Sequence, residues 1–270
     1  MKNNFLATLL NGFAIGSSMM VPGVSGGTMA IMLGIYSDLI GAINSIRKNF
    51  KKSFIFLLIF CIGSVAGMFL LATPLSYLVK NYNTPTMYFF IGAIAGSIPL
   101  IYHQSGVRKI SLGAVIYPLI GFSIIISMNF IPKGLIPNAS GGGIAEFAGL
   151  FIAGIVAAVA LILPGISLTH ILLLMGLYGA TMDAISTVNI PYLIPLALGL
   201  LIGIFATTKI LDNLMSKFPK ATFLIILGFI IASVIEIFPK VVPVGIDLFI
   251  CLTLFAVGFF TMYKLSLLRK

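Results

Sequence analysis

"MMVPGVSGGTMAIMLGIY", Met19 to Tyr36, sets Pro, Gly, Ser, Gly, Gly and Thr inside a long apolar run. Backbone polar groups in a hydrocarbon core must find partners within the protein, so helix breakers at that depth need a reason. The pattern returns 142 residues later as "LILPGISLTHILLLMGLY", Leu161 to Tyr178. Pro164, Gly165, Ser167, Gly176 and Tyr178 fall on Pro22, Gly23, Ser25, Gly34 and Tyr36. A motif used twice in an apolar setting points to duplication of a membrane unit.

The surroundings support a membrane setting. The 270 residues are 60% hydrophobic and 8% charged, with a mean hydropathy of +1.17, far outside the range of soluble domains. Blocks long enough for a core about 30 Å thick lie at 54–72, 86–102, 110–131, 192–207, 222–238 and 246–263. Two further blocks, 5–46 and 147–186, are each interrupted by the Pro-Gly motif. The net charge of +10 sits in short loops between apolar blocks. That distribution sets topology and meets phospholipid headgroups, and gives no reason to expect nucleic acid. Cys61 and Cys251 lie inside apolar blocks without a CxxC or Cys/His spacing, so they read as packing residues and no metal or cofactor is expected. Lys2 ahead of an apolar run resembles a signal peptide. No small-residue cleavage site follows, and the segment has a counterpart near 147–162, so it is expected to be part of the folded unit.

The two halves also match beyond the motif. With a shift of 136, Gly63 and Gly67 fall on Gly199 and Gly203, Leu75 on Leu211, Thr86 on Thr222, Gly92 on Gly228 and Ser97 on Ser233. The six-residue change of shift falls in the loop around Arg47 to Lys52. Each half then holds one broken hairpin plus three spans, an odd number of crossings that inverts the second copy. Lys and Arg collect in cytoplasmic loops, and the charges alternate accordingly. Arg47, Lys48, Lys51 and Lys52 follow the first hairpin, whereas 186–191 carries none. The loop near Lys80 is poor in charge, but its counterpart has Lys209, Lys217 and Lys220. Arg108 and Lys109 are matched by Lys240 alone.

The expected fold is therefore an all-α polytopic membrane protein made of two inverted-topology repeats. Each repeat is a re-entrant or broken helical hairpin with a Pro-Gly-x-Ser motif plus three transmembrane helices. Residues 1–270 form a single transmembrane domain: repeat one at 1–131, an outer linker at 132–146 and repeat two at 147–270. Both termini are expected in the cytoplasm of a cell whose inner membrane the chain crosses many times.

Inverted repeats with discontinuous helices are the architecture of alternating-access transporters, with the ligand between the copies. After Pro22 and Gly23 the helix is expected to restart near Thr28, leaving N–H groups of Ser25, Gly26, Gly27 and Thr28 at a positive dipole end. Such an end takes phosphate. The Ser25 and Thr28 hydroxyls add donors, and glycine permits close approach of an oxyanion. After Pro164 and Gly165, Ser167 and Thr169 fill the same part, with His170 able to carry positive charge. The bland alternative is a tight turn whose Ser and Thr cap the next helix. Tyr36 and Tyr178 fit interfacial anchoring as well as a site, and His170 fits a satisfied buried histidine.

Acidic residues are few. Asp212 and Asp247 fall near span ends, whereas Asp38, Asp183 and Glu236 are candidates for proton coupling or for pairing with a Lys. Gly165 to Ser167 resembles the Gly-x-Ser of intramembrane serine proteases, but a base normally comes from another helix, whereas Ser167 and His170 share one helical turn and His103 falls in a predicted cytoplasmic loop. Without a dyad, carboxylate pair or metal-ligand cluster, the chain reads as a transporter and not as an enzyme.

The segments "VPGVSGGTMAIMLGIY" and "LPGISLTHILLLMGLY", with "GAIAGSIPLIY" at Gly92 to Tyr102, resemble the PopT-type undecaprenyl-phosphate translocase family of prokaryotic polytopic membrane proteins. The resemblance covers nearly the whole chain. The second motif departs from the usual Pro-Gly-x-Ser-Gly by placing Leu168 and Thr169 after Ser167. An acidic residue commonly follows the Tyr, whereas here Asp38 comes one position late and Gly179 and Ala180 follow Tyr178. The resemblance implies that the substrate is undecaprenyl phosphate, flipped from the outer to the inner leaflet for reuse in cell-wall synthesis. Lys133 and Lys240, expected outside, would then recruit the phosphate, and Arg47, Arg108 and Lys109 would receive it inside. Two competing readings are a secondary transporter of a small soluble anion and a membrane enzyme acting on a lipid phosphate.

Overall fold

The computed structural model describes residues 5–21, 23–107, 112–132, 134, 143–239 and 241–268. Among them the chain forms twelve helices and no strand. The first half holds α1 (Phe5–Ser18), α2 (Gly26–Met32), α3 (Tyr36–Ser45), α4 (Phe50–Asn81), α5 (Asn83–Gln104) and α6 (Leu112–Met128). The second holds α7 (Ile144–Ile162), α8 (Leu168–Met175), α9 (Tyr178–Ser186), α10 (Ile190–Lys217), α11 (Pro219–Ile237) and α12 (Ile246–Leu268). Six of these helices are long and apolar enough to cross a membrane: α4, α5, α7, α10, α11 and α12. Two further candidates are the bent pairs α2 with α3 and α8 with α9, which turn by 112° and 108°.

Five of the six predicted spans fall on helices of spanning length; the sixth, 110–131, falls on α6, whose 17 described residues are short of it, while α7, expected as part of an interrupted block, is long enough. Each interrupted block contains two breaks rather than one. The first is the Pro-Gly motif; the second lies at Gly34 and Gly176, where φ is +65° and +76°. Gly34 donates to the Ile31 carbonyl and Ile35 to that of Ala30, and Gly176 and Leu177 repeat this pairing with Leu173 and Leu172. Such a left-handed stop satisfies the last carbonyls of a helix, and glycine adopts it without the Cβ penalty. The restart after the first motif is also earlier than expected. Met29 donates to the Ser25 carbonyl, making Ser25 the cap and Gly26 the first helical residue. Glycine costs little there, because a first-turn N–H has no intrahelical partner in any case.

Glycines also decide which helices meet. A Cβ on Gly12 or Gly16 would strike the Phe60 or Ser64 carbonyl, and one on Gly63 or Gly67 those of Leu9 or Phe13, so α1 and α4 touch backbone to backbone. Gly154, Gly199 and Gly203 hold α7 against α10 in the same way. The last helix of each half crosses over. Gly92, Gly96 and Gly258 bring α5 onto α12, while Gly121 and Gly228 bring α6 onto α11. Close approach through small residues is the normal means of helix association where lipid competes on equal terms with apolar side chains. α5 and α11 form the centre, with 56% and 61% of their spanning windows buried against 17% for α4 and α12.

Candidate functional site

The two motifs meet at the centre of the molecule. Ser25 and Ser167 hold the same extended conformation (φ −84°, ψ 135° and φ −85°, ψ 126°), and Gly23 and Gly165 share a φ of +81°. The loops are thus built alike, yet they are used differently. Thr28 Oγ1 accepts the N–H of Gly165 at 2.9 Å, and the Tyr36 hydroxyl donates to the Ile162 carbonyl at 3.0 Å. That carbonyl belongs to the last turn of α7, which has no helical donor of its own. A Cβ on Gly27 would stand 3.2 Å from both the Ile162 oxygen and the Pro164 backbone, so a larger residue fits there only if these neighbours give by a few tenths of an ångström. Gly27, Thr28, Pro164 and Gly165 are buried in this joint.

A cavity of about 910 Å³ opens on one side of the joint, lined by Gly23, Ser25, Gly26, Ser167, Thr169, His170 and Glu236 among others. The starts of three helices reach its wall: α2 at Gly26, α8 at Leu168 and α5 at Asn83 and Thr84. First-turn N–H groups and the positive ends of helix dipoles favour an anion. The two serines differ. Ser167 Oγ accepts a long cap bond of 3.5 Å from the His170 N–H, whereas the Ser25 side chain makes no capping bond to α2. His170 Nε2 is enclosed and is the one such side-chain atom among the described residues without a hydrogen-bond partner. Glu236, at the end of α11, lines the same cavity as His170. The rest of the wall is apolar, from Met19, Met20, Met87, Leu161, Leu173 and Phe238. Polar donors beside an apolar wall suit an amphiphile with a small anionic head.

Six of the predicted phosphate-binding residues therefore share the cavity wall: Gly23, Ser25, Gly26, Ser167, Thr169 and His170. Four form the joint behind it, and Pro22 lies outside the described residues. Of the predicted coupling or relay residues, Glu236 lines the cavity. Asp38 on α3, Asp183 on α9 and the exposed Arg47 do not. Arg108, Lys109, Lys133 and Lys240 lie outside the described residues. Sequence reasoning missed Asn83 and Thr84; their signal was a helix start, Asn-Thr-Pro, set directly after an apolar span. Among the described residues no group of His, Cys, Asp or Glu has the arrangement to hold a metal ion.

Comparison with known proteins gives a consistent picture. The profile of the undecaprenyl phosphate translocase-like family matches residues 15–244. The chain is 35% identical over 264 residues to a Staphylococcus aureus protein named polyprenyl-phosphate transporter, covering 93% of this chain and 92% of that one. It is 29% identical over 252 residues to a Vibrio cholerae protein of the same name, covering 87% and 78%. No solved structure matches the chain.

Proposed function

Since the chain belongs to the undecaprenyl phosphate translocase-like family, we propose that it carries a polyprenyl phosphate, undecaprenyl phosphate in particular, from the outer to the inner leaflet of the cell membrane. Transport of a polyprenyl phosphate is also the activity in the names of both relatives. The observation that carries the site assignment is the cavity itself, where three helix starts, the Ser25 hydroxyl and His170 meet an apolar wall. The headgroup sits against the α2 and α8 starts while the chain of isoprene units stays in lipid. Only the phosphate then leaves water, and the N–H groups it meets replace part of its hydration.

Loop charge supports the direction. The cavity wall includes Asn83 and Thr84, after the charge-poor α4–α5 connection, and Pro239 and Val241, in the α11–α12 connection. The alternation of Lys and Arg supports an outside position for both loops and a cytoplasmic one for the termini. The conformation is then outward-open, with the Thr28–Gly165 and Tyr36–Ile162 bonds closing the inner side. Two inverted repeats would interconvert this with an inward-open form. The protein moves its lipid without altering it, which separates it from an enzyme acting on the same phosphate.

Reconstitution tests this. Undecaprenyl phosphate is added to the outer leaflet only, and an external phosphatase is applied after increasing delays. With the protein present, a growing fraction becomes protected as the lipid reaches the inner leaflet; in protein-free vesicles it stays open to hydrolysis. Complete hydrolysis at every delay with the protein present would overturn the proposal. Inorganic phosphate released by the protein alone would identify an enzyme.

A further inference from the structure

We infer that the two halves exchange one pair of hydrogen bonds for its symmetry-related pair as the protein changes the face it opens. In the conformation described, Thr28 accepts the Gly165 N–H and the Tyr36 hydroxyl donates to the Ile162 carbonyl. In the counterpart, His170 accepts the Gly23 N–H and the Tyr178 hydroxyl donates to the Met20 carbonyl. The inference deepens the transport reading and rests on it.

The 142-residue shift supplies the correspondence: Thr28 with His170, Gly165 with Gly23, Tyr36 with Tyr178 and Ile162 with Met20. Local backbone is the same in both copies, from the φ of +81° at Gly23 and Gly165 to the left-handed stops at Gly34 and Gly176. The contacts are not. Met20, Gly23, His170 and Tyr178 all line the cavity, and none of Thr28, Gly165, Tyr36 and Ile162 does. Tyr36 is 5% exposed and Tyr178 is 36% exposed. One half has made its bonds, and the matching groups of the other line the cavity with no corresponding bond between them.

His170 sharpens the asymmetry. Its enclosed Nε2 has no partner among the described residues, an expensive state for a polar atom unless another conformation satisfies it. With the ring proton on Nδ1, Nε2 is an acceptor and matches the role that Thr28 Oγ1 fills. The lever arms are asymmetric too. Asn44 on α3 donates to the Thr208 carbonyl at 2.9 Å, fastening α3 to α10, whereas α9 has no comparable packing on α4 among the described residues. The pairs α1–α4 and α7–α10 each pack backbone to backbone at their glycines, next to the loop of their own half. Two packed arrangements separated by an exchange of equivalent bonds form a bistable device rather than a deformable one.

Cysteine cross-linking of the full chain in lipid vesicles tests this, on a background carrying Cys61→Ser and Cys251→Ser. The pair Gly27→Cys with Ile162→Cys, joined by a short bifunctional thiol cross-linker, reports the arrangement described, because position 27 packs against the Ile162 backbone; Gly27→Cys alone should transport as the parent does. The pair Met20→Cys with Thr169→Cys is its image in the counterpart. Tyr36→Phe should shift the ratio of cross-links about fivefold toward the second pair, and Tyr178→Phe about fivefold toward the first, the factor for one net hydrogen bond. Labelling of Met20→Cys alone by a water-soluble maleimide needs no change at Gly27. It should slow with Tyr36→Phe and quicken with Tyr178→Phe. A second pair that never cross-links while the parent transports, or two tyrosine changes acting in one direction, would overturn the exchange. Polyprenyl phosphate movement is read separately in the same vesicles. Its absence alongside exchanging cross-links refutes the transport reading and leaves the exchange standing.

Discussion

Thr28 Oγ1 accepts the N–H of Gly165 at 2.9 Å, binding the first motif to the second across 137 positions of sequence. Thr28 is 2% exposed, so water does not replace that acceptor. Thr28→Val keeps the shape and strands a buried N–H, a loss of about 1–3 kcal/mol. The expected result is a clear drop in unfolding temperature in detergent, with Thr28→Ser much closer to wild type. Equal stability of Thr28→Val would remove the bond from the account.

Ser25 contrasts with Thr28. Its side chain makes no capping bond and lines the cavity. Ser25→Ala should leave the unfolding temperature unchanged and weaken binding of a polyprenyl phosphate by about tenfold, the scale of a hydrogen bond to a charged group. A stability loss without a binding loss would make Ser25 a structural residue.

Glu236 and His170 line the same cavity. Removing a negative charge near a bound anion lowers repulsion, so Glu236→Gln should tighten phosphate-lipid binding by roughly threefold. His170→Ala should weaken it by about tenfold. Two groups that share one ligand do not contribute additively, and the double variant should depart from the product of the single effects. Binding isotherms on all four proteins check this.

The helix contacts give a stability test. Gly154→Leu would drive a side chain into the Leu196 carbonyl and part α7 from α10, so folded yield should fall sharply. Gly41, in α3, has open space where a Cβ would stand. Gly41→Ala should be neutral or stabilise by up to about 1 kcal/mol through helix propensity. Equal behaviour of the two variants, followed by size-exclusion chromatography, would contradict the packing.

Much of the fold is legible in the sequence because hydrophobic length and duplication are one-dimensional signals. Five of the six spanning helices and the matched Gly63/Gly199, Gly67/Gly203 and Gly92/Gly228 stand out from residue order alone, and each of those glycines lies at a helix contact. The crossing of α6 onto α11 and of α12 onto α5 is not legible, since partner choice among apolar helices leaves no local mark. The site divides the same way. Spacing names the motif residues, yet it makes Ser25 and Thr28 look equivalent. Only packing separates a hydroxyl at the cavity from one bonded to Gly165. Asn83 and Thr84 reach the wall because α5 is central, a fact of tertiary structure.

The most direct measurement is native mass spectrometry of the purified protein with undecaprenyl phosphate, competed by the pyrophosphate, neutral undecaprenol and an anionic phospholipid. The account predicts selective binding of the monophosphate, reduced by Ser25→Ala and by His170→Ala. Equal binding of every anionic lipid, unchanged in both variants, would reduce the broken helices to structural turns and contradict a headgroup site between the two halves.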